Sequence, residues 1–241
     1  MIKFFRHVRK SLIEDNKMSK YFKYAIGEII LVIIGILMAL QINNWNENRK
    51  TKLDLHNSIY AMVNELNENI QFMTTEKNNF QNRVDGLQRI LGNSESENDL
   101  KFMLNYFALD LNSKSFSKVF ELIKENKQLQ FIDNKDLIKK INQFYEYTLP
   151  DMEEYTSWHD GFVSNNIDPY ILENIPIKKN GVEPSIAKRL LTEVKFKNIL
   201  SYQKIFYQDY IDFNTSNINE AEILKNAIES YLEEINYDQT Q

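Results

Sequence analysis

Tyr24 to Trp45 reads YAIGEIILVIIGILMALQINNW, and the reading of this stretch decides how the rest of the chain is arranged. Between Ile29 and Leu40 there is no charged or strongly polar side chain, and the 19 residues from Tyr24 to Ile42 carry one charge, Glu28. A helix of that length rises about 28 Å, enough to cross a hydrocarbon core of roughly 30 Å. In lipid, a helix satisfies every backbone N–H and C=O internally. Tyr21, Tyr24 and Trp45 bracket the segment where amphipathic rings prefer to sit. The expectation is a single transmembrane helix at 24–45, with the lipid bilayer as its first partner. A buried core helix would not need aromatic and basic flanks. A cleaved signal peptide would need a small-x-small site, but Ala39 is followed by Leu40-Gln41-Ile42, so an uncleaved signal anchor is expected.

Charge orients the span. Residues 1–23 hold seven Lys or Arg against Glu14 and Asp15, a net of +5. Residues 46–241 hold 22 basic against 31 acidic residues, a net of −9. Short basic flanks stay in the cytoplasm, so the N-terminus is expected inside and the large C-terminal part outside. An acidic outer domain argues against nucleic acid as a partner. Three domains follow: a basic cytoplasmic or interfacial segment (1–23), the span (24–45) and an extracytoplasmic α-helical domain (46–241). Within the first, residues 2–13 place Ile2, Phe5 and Leu12 opposite Lys3, Arg6 and Lys10, which suits a short interfacial helix. Ser19 is placed to cap the helix that becomes the span.

Only six Gly and four Pro occur in 241 residues, which favours long helices over a turn-rich β fold. The fold class expected is all-α: the transmembrane helix continuing into a bundle of long helices. Leu55, Ile59, Met62, Leu66, Ile70, Met73, Phe80, Val84, Leu87 and Leu91 step by three and four, interrupted only at Lys77. No Gly lies between Gly35 and Gly86, so this coiled-coil-like helix is expected to run from the membrane to a stop at Gly92. A shorter helix is predicted over about 97–110. Another is predicted to be formed by Phe116, Val119, Phe120, Leu122 and Ile123, with an end near Asn126. Asp133 is the expected cap of a third, whose stripe is Leu137, Ile138, Ile141, Phe144, Tyr145 and Leu149. Pro150 should kink or interrupt it before Met152, Tyr155, Trp158 and Phe162 resume the pattern. Residues 164–184, with Pro169, Pro176, Gly181 and Pro184, read as a loop. Phe196, Ile199, Gln203, Phe206, Tyr210, Phe213, Asn217, Ala221, Leu224, Ile228, Tyr231 and Ile235 mark a last long helix, expected to pack along the first.

Asn16 to Lys50, and above all Ser19-Lys20-Tyr21, Ala25-Ile26-Gly27-Glu28, Gly35-Ile36 and Ala39 to Glu47 (ALQINNWNE), carries polar punctuation that apolar spans do not share in general. It closely resembles the N-terminal signature of an uncharacterised family of membrane-anchored proteins in Bacteroidota, the domain of unknown function 6090 family. A weaker resemblance extends over Ser115 to Tyr145, where the family has a Ser-Gly type turn and this chain has Asn126-Lys127. The resemblance implies one span plus a helical domain and lends no catalytic residues. The expected localisation is the inner (cytoplasmic) membrane, single-pass, with the C-terminal domain in the periplasm.

Little in the chain points to chemistry. The chain has no Cys, and His7, His56 and His159 lie far apart in sequence. No HExxH, EF-hand, P-loop or GxGxxG pattern is present. No catalytic, cofactor or metal residue is therefore assigned, and no enzyme is expected. Asp151-Met152-Glu153-Glu154 and Trp158-His159-Asp160 read as a solvated helix face. Met62, Met73 and Met103 read as core filler rather than a copper site, and the tyrosines 145, 147, 155, 202, 207 and 210 as amphipathic packing. Glu28, Gly35 and Ala39 fall within about 40° of one another on a helix. They are the candidate membrane-helix association site, for a homodimer or a complex with another membrane protein. A non-enzymatic interaction or scaffold protein is the expectation; a sensor-like ligand-binding module relaying through a membrane partner is the alternative.

Overall fold

The computed structural model describes residues 18–92, 96–108, 111, 114, 116–176, 178 and 181–239. The interfacial helix expected over 2–13, and His7 with it, lies outside them. The chain forms two compact units, Met1–Asp54 and Leu55–Gln241. Among the described residues all regular structure is helical, as an all-α chain requires.

The first helix, α1 (Met18–Leu91), is a single element of 74 residues. Ser19, expected as its cap, lies inside it instead. Within the first unit, the side chains of Ile29, Leu31, Val32, Leu37, Met38 and Ile42 are exposed, with Leu31 at 65% and Ile42 at 66%. Around this apolar stretch the helix is long and apolar enough to cross a membrane, and none of the stretch is buried against protein.

In the second unit, α1 buries the predicted stripe: Leu55, Ile59, Met62, Leu66, Met73, Phe80, Val84 and Leu87 are inside, with Ile70 and Leu91 half-buried. Its counterpart is the last helix, α9 (Val194–Gln239), of 46 residues. Phe80 meets Tyr207 and Tyr210 at ring-centroid distances of 4.8 and 4.9 Å. Lys204 Nζ donates to Gln88 Oε1, and Lys225 Nζ donates to Asn67 Oδ1 at 3.2 Å. One index falls as the other rises, so the two helices run antiparallel.

A third layer covers them. Helix α5 (Lys135–Gln143), a π turn (Phe144–Thr148), α6 (Leu149–Phe162), a second π turn (Val163–Ile167) and α7 (Asp168–Asn174) follow without a break. Pro150 and Pro169 each stand two residues beyond a π turn. Proline lacks the N–H of the helical ladder and its ring crowds the carbonyl four residues back; a widened turn carries that carbonyl aside, so the helix survives. The loop expected over 164–184 is therefore helical through Asn174, and of the residues between Asn174 and α8 (Pro184–Leu190) those described are irregular. Asn134, not Asp133, caps α5: its Oδ1 accepts from Leu137 N–H at 3.0 Å.

The helix expected over 97–110 is divided into α2 (Glu97–Lys101) and α3 (Leu104–Phe107). The Lys101 carbonyl accepts from Val182 N–H at 3.0 Å, so a distant segment takes the acceptor that the next helical turn would have used. Gly181 permits that approach: its φ is 93°, and a Cβ there would lie 2.3 Å from the Lys101 oxygen. Helix α4 (Lys118–Glu125) ends at Asn126, and Lys127 follows in the left-handed region at φ 54°. That is the position after a helix where glycine is usual.

Two buried clusters make up the core. One joins Phe80 to Ile90 of α1 with α2, α3, α6 to α8 and the first half of α9; the other joins Leu55 to Met73 with α4, α5 and Ala221 to Leu232.

Candidate functional site

Three polar features stand out against this apolar frame. The first is wholly internal. His159 of α6 is 0% exposed; its Nδ1 accepts from Leu111 N–H at 3.3 Å, which places the ring proton on Nε2, 2.9 Å from Gln203 Oε1. Gln203, also 0% exposed, uses its amide to donate to Phe107 O at 2.8 Å and to the Tyr207 hydroxyl at 2.9 Å. The network ties α6, α9 and the chain between α3 and Leu111 together. With His159 and Gln203 both wholly buried, it is a structural clasp.

The second clasps α4 to α1. Asn69 accepts from Phe116 N–H at 3.1 Å and donates to the Phe116 carbonyl at 2.8 Å, a two-way grip on the backbone. One turn back, Glu65 Oε2 accepts from Val119 N–H at 2.7 Å. Ser117 makes no side-chain cap, so a carboxylate from another helix satisfies the first turn of α4 and faces its positive end. Burial raises the Glu65 pKa above its ordinary value, with the Val119 N–H pulling the other way. The native carboxyl thus binds its proton more tightly than the unfolded one. Stability from this group falls as pH rises from the ordinary carboxylate range through the raised native value, then levels. Comparing wild type with Glu65→Gln in urea titrations from acid to neutral pH should therefore show the wild type losing ground to the variant as pH rises. A stability difference independent of pH would show that this carboxyl has no shifted titration.

The third feature faces solvent and is the candidate site. On α6, residues 151, 155, 158 and 162 step by four and three along one face; on α9, residues 202, 206, 209, 213, 216 and 220 do the same in the opposite sense. They meet along a seam. Tyr155 packs on Phe213 at 5.0 Å, Trp158 on Phe206 at 4.9 Å, and Phe162 stacks on Tyr202 at 5.8 Å. Yet Trp158 is 64% and Tyr202 57% exposed, so these two rings keep large faces open to water while Phe206 between them is buried. Beside them lies a groove of about 430 Å³ lined by Gln143, Thr148, Asp151, Asp209, Asp212, Phe213, Ser216, Asn217 and Glu220. Four of its lining residues are acidic and none is basic. The groove is positioned from within: the Thr148 hydroxyl donates to Glu220 Oε2 at 2.6 Å, and the Tyr155 hydroxyl lies 3.3 Å from the Phe206 carbonyl and 3.5 Å from Asp209 Oδ2. Burial, then Asp209, raises the Tyr155 pKa far above its usual value, so the hydroxyl stays a donor.

The sequence pattern puts Trp158 and Phe213 inside, and the structure puts both at the surface. At 100° per residue, Trp158 lies about 120° from the buried Met152, whereas His159 lies about 20° from it, so phase sends the histidine in and the indole out. Likewise Phe213 is 37% exposed and Asn214 buried. Leu122 of α4 is 56% exposed. The tyrosines divide: 145, 207 and 210 are core, 155 half-buried, and 147 and 202 exposed. Met62, Met73 and Met103 are buried core residues. Asp151, Glu153 and Glu154 are exposed or nearly so, and no group of three or more His, Asp or Glu among the described residues is arranged to hold a metal ion. Glu28, Gly35 and Ala39 lie on α1, with Gly35 and Ala39 exposed and nothing within 4 Å of where a Gly35 Cβ would stand.

Compared with protein-family models, curated proteins and solved structures, the chain matches none.

Proposed function

We propose that this chain is a membrane-tethered interaction protein: a single-pass anchor holds a helical domain in the periplasm, and that domain contacts another envelope protein through the α6/α9 seam. The observation that carries the reading is the seam itself. Soluble surfaces seldom leave a contiguous run of Trp, Tyr and Phe in water, and such residues dominate the binding energy where proteins meet. The basic residues at 1–23 favour a cytoplasmic N-terminus. The likeness of Asn16 to Lys50 to the membrane-anchored family supports the same arrangement, and Glu28, Gly35 and Ala39 offer a second contact within the bilayer.

The test is photo-crosslinking in intact cells, with a photoreactive amino acid at position 158 or 202 and, as control, at Glu229 on a different face of α9. A discrete adduct from 158 and 202, absent from 229, is expected, and mass spectrometry of it identifies the partner. Identical patterns at all three positions would dismiss the seam as a contact surface.

A further inference from the structure

We propose that the occupant of the seam is a basic amphipathic helix of another protein, carrying Lys or Arg beside apolar side chains. The inference rests on the interaction reading above and adds the chemistry of the partner.

The seam is a groove between two long helices, the geometry into which a third helix lays its apolar face. From Gln143 to Phe162 its α5–α6 wall spans 20 residues, roughly 30 Å, the length of a helix of about 20 residues. The aromatic rings are already packed on one another and have few rotatable bonds, so little ordering is needed when they are covered. An apolar partner alone would satisfy them. It would not satisfy Asp151, Asp209, Asp212 and Glu220, which it would strip of water with no basic lining residue to compensate. A cation on the incoming helix meets both requirements at once. It pairs with the carboxylates, and its stem or guanidinium lies on the exposed face of Trp158. A second copy of this chain is a poorer fit, because it brings the same carboxylates on a domain of net −9. An anionic lipid surface is repelled for the same reason.

The experiment uses the full chain in nanodiscs and two fluorescein-labelled alanine-based helices. One carries Arg at every fourth position beside two Leu; its twin carries Glu in place of Arg. Fluorescence anisotropy should show the Arg helix binding and the Glu twin at least about tenfold weaker. Asp209→Asn with Asp212→Asn should weaken the Arg helix about tenfold at low salt and less at physiological salt. Trp158→Ala should weaken it at both. Glu229→Gln with Glu233→Gln removes equal charge away from the seam and should change nothing. Equal binding of the twins, no binding of the Arg helix, or full binding by the Asn double variant overturns the proposal. So does a concentration-dependent dimer in sedimentation that Trp158→Ala abolishes, which would make a second copy the occupant. A discrete cellular adduct at position 158 without preference between the twins leaves the interaction surface standing and removes only the basic partner.

Discussion

Replacing Phe80 by Ala should cost about 3–5 kcal/mol of folding stability and lower the thermal midpoint by on the order of 10 °C. Phe80 is 1% exposed, and its ring is held edge-on by Tyr207 and Tyr210 with the Arg83 guanidinium 4.4 Å above it. Truncation removes both aromatic contacts and leaves a cavity between α1 and α9 that two long helices cannot close by shifting one side chain. Phe213→Ala is the contrasting case. That ring lies on the seam and is 37% exposed, so its loss should cost about 1 kcal/mol or less. Denaturant titration of the two variants side by side checks the antiparallel pairing directly. Equal stability of Phe80→Ala and wild type would mean that α1 and α9 do not share a core at this level.

Gln203→Leu is expected to be nearly as damaging, for a polar reason. The substitution keeps the volume but takes an acceptor from His159 Nε2–H and a donor from both Phe107 O and the Tyr207 hydroxyl. Each buried group stripped of a partner costs about 1–3 kcal/mol, so a total of about 3 kcal/mol or more is expected. The same asymmetry predicts that His159→Leu combined with Gln203→Leu costs less than the sum of the two single variants, because the pair is then removed together. Strict additivity in urea midpoints would show that the two side chains do not depend on each other.

The parts of this fold that are legible in the sequence are those where one period runs undisturbed. From Leu55 to Val84 in α1, and throughout α9, neither Gly nor Pro interrupts the chain. The stepping of Ile59, Met62 and Leu66, or of Leu224, Ile228 and Tyr231, can therefore be followed by eye, and all six are buried. Reading fails where residue type is allowed to outrank phase. Trp158 and Phe213 look like core because they are aromatic, while the buried positions beside them hold His159 and Asn214. Tertiary hydrogen bonds are invisible for a different reason: nothing local to Lys101 announces that its carbonyl serves Val182, and nothing local to Ser117 announces that Glu65 caps its helix. The seam combines both difficulties. Its two walls are some 50 residues apart in the chain, as Tyr155 and Phe206 are. Each looks like an ordinary amphipathic stripe until the outward residues of both are seen to face the same water.

The antiparallel pairing of α1 with α9 also sets an order of events during synthesis. Asn67 waits for Lys225, 158 residues later, and Gln88 for Lys204, 116 residues later. At roughly 5–20 residues per second, the stripe around Asn67 stays uncovered for about 8–30 s after it is made. Contacts of such long separation are also slow to form, because a large loop must close before any of them is gained. The apolar face of α1 is therefore a nascent-chain liability, satisfied only when the last helix arrives. A premature stop anywhere before Val194 leaves that face without α9 to cover it.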